Sequence, residues 1–169
     1  MPQPYSLGPV GSEELPQAVQ PAWFMPEQME KRPVSELIPY ARNARTHSTA
    51  QIRQLRASIH EFGFINPILI DRAGNVIAGH GRLLAAEAEG MNEVPCVLID
   101  HLSDAQRRAY ILADNRLAEM SGWDNEMLAV ELGEIQTSGL DLALTGFDSA
   151  ALDMAASSSD ADKAFAAGM

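Results

Sequence analysis

Gly79-His80-Gly81-Arg82 is the stretch that most constrains this chain. It stands between a short apolar run, Val76-Ile77-Ala78, and a segment with helical spacing from Leu83 to Glu89. A strand that turns directly into a helix leaves backbone N–H groups unpaired at the helix start, where the macrodipole favours negative charge. The two glycines let the main chain come close to a ligand, and Arg82 adds a planar charged fork that suits phosphate. The combination predicts an anion site, and a nucleotide phosphate is the anion it fits best. A tight turn with a solvated arginine is the plainer reading of the same four residues.

The punctuation around this turn is regular. Ser48-Thr49-Ala50-Gln51 has capping-box form and opens a helix with Ile52, Leu55, Ile59 and Phe62 on one face, stopped by Gly63. Pro67 to Ile70 and Val76 to Ala78 flank the turn-forming residues Asp71 to Asn75 and predict a hairpin. Pro33 to Leu37 reads as a short extended segment. The helix after the glycine turn ends at Gly90, and Pro95 to Ile99 is a continuous apolar run of the kind buried on both faces. Together with the preceding helix and Val76 to Ala78 it predicts a βαβ-like unit. Ser103 to Gln106 is a second capping box for a helix to about Met120; Asp124 caps another, and Asp148 a last short turn. The fold class expected is therefore α/β (α+β): a small mixed sheet with flanking helices and a C-terminal helical extension.

Four segments follow from this pass. Residues 1–29 are a disordered, proline-rich arm, with Trp23, Phe24 and Met25 able to dock onto the domain or a partner. Residues 30–101 are the α/β core, 102–153 the helical extension, and 154–169 a disordered tail. Arm and tail read as linkers, and so as signs of a module working beside another domain.

Net charge is −11, which argues against a whole-surface affinity for nucleic acid. Its distribution is uneven. Residues 31–82 carry eight bases against three acids, whereas residues 83–169 carry four bases against sixteen acids. The glycine turn thus lies in an electropositive island, suited to a compact polyanion. A lone cysteine, Cys96, rules out an internal disulfide and makes a reducing, cytoplasmic setting the default. No apolar run is long enough to span a membrane, and the first residues lack the basic start and apolar stretch of a signal peptide.

Gly63-Phe64-Ile65-Asn66-Pro67-Ile68, then Gly79-His80-Gly81-Arg82-Leu83-Leu84-Ala85-Ala86, then Glu93-Val94-Pro95 resemble, in order and spacing, the N-terminal domain of the ParB/sulfiredoxin superfamily. The resemblance covers about ninety residues, from Val34 to near Trp123, and is nearest to ParB-like domains of phage proteins and of proteins associated with DNA methyltransferases. It implies a ParB/sulfiredoxin-like fold whose G-x-x-R turn cradles a nucleoside triphosphate, CTP or ATP with Mg²⁺. The residues it assigns to that ligand are Gly79, His80, Gly81 and Arg82, with Arg45 as a basic position facing the same pocket and Asn66-Pro67 lining it. Asp114 and Asn115 match the family's metal-holding pair, and a carboxylate with an amide oxygen is sound chemistry for Mg²⁺. Two departures predict a weaker hold on triphosphate. The turn has His80 and Gly81 where ParB proteins carry a glutamate and a further arginine, and Ala118 stands where they carry another arginine. Sulfiredoxin chemistry is excluded, since its nucleophilic cysteine would fall at His80.

His80 reads as a ligand contact rather than a catalyst. His47, His60 and His101 have no metal-ligand spacing and read as surface residues; Cys96 reads as plain core. The resemblance implies a nucleotide-binding regulatory module of a DNA-transaction system, with homodimer formation and weak Mg²⁺-dependent NTP hydrolysis as further expectations. Two alternatives stand beside it: an accessory or targeting domain for a DNA methyltransferase partner, and a metal-dependent ParB-like nuclease. No helix-turn-helix is legible after Asp100, where the helices are acidic, so specific DNA binding by this chain alone is not expected.

Overall fold

A computed structural model describes residues 24–26 and 28–153. Of the sequence expectations, the arm up to Trp23 and the tail from 154 lie outside those residues. Four strands form one mixed sheet in the order β1-β4-β2-β3, from β1 (Met29–Pro33), β2 (Ile68–Ile70), β3 (Val76–Ala78) and β4 (Glu93–Leu98). The helices are α1 (Thr49–Phe62), α2 (His80–Glu89), α3 (Asp104–Met120) and α4 (Asn125–Ser138), with a 3-10 turn at Leu142–Thr145. The expected α/β class with a helical extension is what the chain adopts.

Three local expectations are corrected. Val76–Ala78 and the fourth strand do not form a βαβ pair: β4 runs parallel to β2, and β3 lies antiparallel on the far side of β2 as the sheet edge. The apolar run was legible as a central strand but its neighbours were not. The other neighbour is β1, pairing Met29 with Val97 and Pro33 with Glu93. Charged Glu30, Lys31 and Arg32 hide β1 from a hydropathy reading, as suits an edge strand. Val34–Glu36, expected to be extended, form a 3-10 turn. Finally, α2 begins at His80 rather than Leu83, so the glycine turn is itself the first turn of the helix.

The core is the face of the sheet covered by α2. Leu83 and Ala86 of α2 pack on Ile68, Ile70, Val76, Val94 and Cys96, closed by Leu37 and flanked by Phe64 and Met91. This 1,4-type apolar spacing on α2 is what seats its N-terminus at the end of β3. Because side chains alternate along a strand, Ile77 points to the opposite face, where α3 covers it and buries Ile111. Helix α1 packs on α2, and Arg56 and His60 of α1 both bond Glu89 of α2, holding that carboxyl below the usual carboxylate range. Ser48 Oγ caps the Gln51 N–H of α1, but the Gln51 side chain turns away to His47, leaving half of the expected capping box. Ser103 and Gln106 complete theirs. The 3-10 turn after α4 folds back on α1 and buries Leu142. Asp148 caps the turn that follows, as expected.

Asp71 anchors α3. Its carboxylate accepts from the N–H groups of Ala73 and Asn75 and from Asn75 Nδ2, and takes the Arg107 guanidinium of α3 from the other side. Asp71→Ala removes every one of these bonds and leaves Arg107 half buried with one acid fewer. It should cost about 2–4 kcal/mol of folding stability, read from urea unfolding; a loss below about 0.5 kcal/mol would disprove the anchor. Cys96 is fully buried, and burial pushes its thiol up to about 11. A raised thiol pKa means less thiolate at neutral pH, so at pH 8 the native chain should resist a disulfide reagent that labels it at once in denaturant.

Candidate functional site

Strand β3 delivers the chain to Gly79 with φ +97°, a left-handed conformation that favours glycine. A Cβ there would stand 2.9 Å from Arg82 Nη2 and 3.3 Å from Ile68 Cγ1. The bare backbone is therefore what lets the Arg82 side chain fold back across its own helix start. There Nη2 donates to the Pro67 carbonyl at 3.1 Å. Gly81 serves a different contact. A Cβ on it would meet Leu55 Cδ1 at 2.9 Å and the His47 ring at 3.1 Å, so its absence sets the approach of α2 to α1.

Among the described residues no side chain caps the N-terminus of α2. Its first-turn N–H groups, at His80, Gly81 and Arg82, open on a cavity of about 180 Å³ lined by Asn43, His47, Gln51, Leu55, Gly79, His80, Gly81, Arg82, Asp114 and Asn115. Four of the residues expected from the turn thus meet the two expected from α3. Asn115 donates Nδ2 to the Ile111 carbonyl at 2.7 Å, so its Oδ1 remains an acceptor for the cavity. Asp114 is exposed, and its nearest hydroxyl, on Tyr110, lies 3.5 Å away.

Arg82 is half buried with its Nε unpartnered. Burial lowers its pKa, and the Asp114 charge works against that lowering. A buried donor without a partner costs about 1–3 kcal/mol. His80 also sits half buried. Its Nε2 accepts the Tyr40 N–H at 3.2 Å, and burial, then His47, lower its pKa, so the ring is neutral.

Other expected site residues fall elsewhere. Arg45 does not line this cavity: its Nη1 is held by Glu119 of α3 at 2.6 Å. Asn66 lines a second cavity, of about 290 Å³, formed by Leu55, Ser58, Ile59, Phe62, Gly63, Phe64, Ile65, Asn66 and Arg82. Arg82 and Leu55 are the wall that the two cavities share. Pro67 contributes its carbonyl, not its ring. His47, expected at the surface, is a half-buried cavity residue bonded to Gln51 at 3.0 Å. Asn43, His47 and Gln51 were missed, the last because capping-box spacing accounted for it. His60 and His101 are exposed, as expected, and His101 stacks on Phe24 at 3.8 Å.

Comparison with known proteins gives a consistent picture. Residues 23–116 match the ParB N-terminal domain, and residues 126–167 match the ParB-methyltransferase HTH domain. The second match covers the acidic region in which no helix-turn-helix was legible; its residues 154–167 lie outside those described. The chain is 54% identical over 77 residues to the ParB-like nuclease domain-containing protein YnaK of Escherichia coli (strain K12), covering 46% of this chain and 88% of that one. It is 30% identical over 134 residues to the nucleoid occlusion protein of Bacillus licheniformis, covering 66% of this chain but only 47% of that protein. Among solved structures, the C-terminally truncated chromosome-partitioning protein ParB from Caulobacter crescentus, complexed with CTP-gamma-S, has the same fold. The TM-score is 0.59 at 20% identity, over 74% of each chain.

Gly79→Ala tests the geometry of the turn. A left-handed φ and a Cβ crowding Arg82 should together cost about 1–3 kcal/mol. Thermal unfolding reads this, and an unchanged melting temperature would overturn both the left-handed turn and the close packing over Gly79.

Proposed function

This chain belongs to the ParB N-terminal domain family, and from that membership and its cavity we propose a nucleotide-binding regulatory module of a DNA-transaction system. The observation that carries the reading is the convergence of α2 first-turn amides, a half-buried Arg82 with an unpartnered Nε, and Asp114-Asn115 on one cavity. Amides and guanidinium supply positive potential where phosphate oxygens would sit. The second cavity, apolar but for Ser58, Asn66 and Arg82, is the place for the nucleoside, with the Asn66 amide available to a base edge. The CTP analogue held by the Caulobacter crescentus protein makes CTP the first nucleotide to test, and ATP the second.

Mg²⁺ fits the donor set. The Asp114 carboxylate and the free Asn115 Oδ1 are hard oxygen ligands, and phosphate and water would supply the others. Bound there, the ion would neutralise charge between carboxylate and phosphates. The chain's own residues bind and orient the ligand. The described residues hold no group of three or more His, Cys, Asp or Glu side chains suited to a metal. With Asp114 as the one carboxylate lining the cavity among the described residues, weak hydrolysis is the expectation.

A second reading has its own support. The match of 126–167 to a ParB-methyltransferase HTH domain favours an accessory role beside a DNA methyltransferase, with the cavity serving as scaffold. That match also removes one ground for setting DNA contact aside, although the acidic charge of the segment stands. The name of the Escherichia coli relative points to nuclease activity, for which Asp114 is the only carboxylate lining the cavity among the described residues. Homodimer formation and a cytoplasmic setting belong to the same proposal; no described helix is long and apolar enough to cross a membrane.

Calorimetric titration with the four ribonucleoside triphosphates and Mg²⁺ tests the leading reading. At a hundredfold excess over Kd the ligand should add about 2.7 kcal/mol of stability, raising the melting temperature of the wild type and not of Arg82→Ala. No binding of any of the four would sink it and leave the scaffold reading standing.

A further inference from the structure

We propose that His80 is a positioning residue whose imidazole latches the 39–47 loop to the first turn of α2, setting Asn43 and His47 at the wall of the anion cavity before any ligand arrives. The ligand arm of this proposal rests on the nucleotide reading; the latch itself does not.

The ends of the loop are tied to regular structure. At one end Ile38 donates its N–H to the Gly74 carbonyl and accepts from the Val76 N–H, both at 2.9 Å, adding a bridge beside β3. At the other end His47 bonds Gln51 in the first turn of α1. In between, the loop has no ladder partner among the described residues and makes local bonds: Asn43 N–H to the Tyr40 carbonyl at 3.0 Å, and Arg45 N–H to Asn43 Oδ1 at 3.2 Å. Arg45 reaches out to Glu119 by an exposed ion pair, the kind that contributes little. The bond from the Tyr40 N–H to His80 Nε2 therefore ties the middle of the loop to the cradle, joining residues forty apart in sequence.

The chemistry of that bond is one-sided. An amide N–H only donates, so Nε2 must carry its lone pair, and the ring proton sits on Nδ1. Burial and the neighbouring His47 both favour that neutral form. His80 is thus committed through one nitrogen to the loop, and only the Nδ1 side remains for a ligand. The carboxylate and guanidinium of Asp114 and Arg82 face the same cavity and supply the charges; His80 supplies the shape. Fixing the loop in advance removes an ordering cost that binding would otherwise carry.

The test uses the full chain. In ligand-free protein, His80→Leu should speed hydrogen exchange of the Tyr40 amide about tenfold or more while the middle of α2 stays protected. His80→Gln, whose amide oxygen can accept the same N–H, should return exchange toward wild type. Calorimetry with Mg·CTP should show binding about three- to tenfold weaker in His80→Leu and recovered in His80→Gln. In the wild type, ¹⁵N NMR of the His80 ring should report a proton on Nδ1 at neutral pH, a measurement that needs no variant to fold. Unchanged Tyr40 exchange in His80→Leu, no recovery in His80→Gln, or a proton on Nε2 would each overturn the latch. Failure of the wild type to bind CTP would instead count against the nucleotide reading, with the exchange and NMR arms still deciding this one.

Discussion

The bond between the Arg82 guanidinium and the Pro67 carbonyl is the constraint around which the site is arranged. For it to form, the side chain must lie across Gly79, where any Cβ would displace it. The backbone at Gly79 must then be left-handed, and β3 must end where α2 begins. Pro67 must sit at the head of β2, whose Ile68 and Ile70 are fully buried against α2. A single arginine contact thus fixes the helix N-terminus against the sheet and partitions the surface into a polar and an apolar cavity.

The charge balance inside the polar cavity is narrower than the sequence implies. Eight bases lie between residues 31 and 82, and several of them are paired with acids away from the cavity. Arg45 is paired with Glu119 and Arg56 with Glu89, while Arg72 is paired with Asp100. Among the described residues Arg82 alone brings a guanidinium to the cavity, opposed by Asp114, and His80 is neutral there. Under the nucleotide reading, affinity rests on helix amides and one cation. A divalent ion at Asp114 and Asn115 would relieve the repulsion between that carboxylate and a phosphate.

Local chemistry was legible in the sequence; partnership was not. Ser48, Ser103 and Asp124 announce their helices because a cap needs only residues three or so apart. The turn at Gly79 declared its own geometry for the same reason. Strand order was hidden because β4 pairs with β1 and β2 across long stretches of chain, and hydropathy does not encode which neighbour wins. The cavity wall was hidden in the same way. His47 has no motif spacing and becomes a site residue only because Gly81 lets α2 approach it. Arg45 stands at a suggestive position but finds Glu119, an acid 74 residues away. The helix-turn-helix match is not legible in the sequence because its segment begins with the acidic α4, where cations would mark a recognition helix.

The site is assembled from three pieces that belong to different parts of the chain, and each is held by a small number of bonds. The α2 turn is held by Arg82 on Pro67, the 39–47 loop by His80, and α3 by Arg107 on Asp71. Helix α3 buries little besides Ile111, and the Arg107–Asp71 ion pair ties it to the loop between β2 and β3. The position of Asp114 and Asn115 relative to the cradle is therefore set by charged contacts at the surface of a well-packed sheet. Polar ties of this kind are individually weak and sensitive to what occupies the space between them. Under the nucleotide reading, a well-packed core with a polar-tied rim suits a charged ligand that enters and leaves.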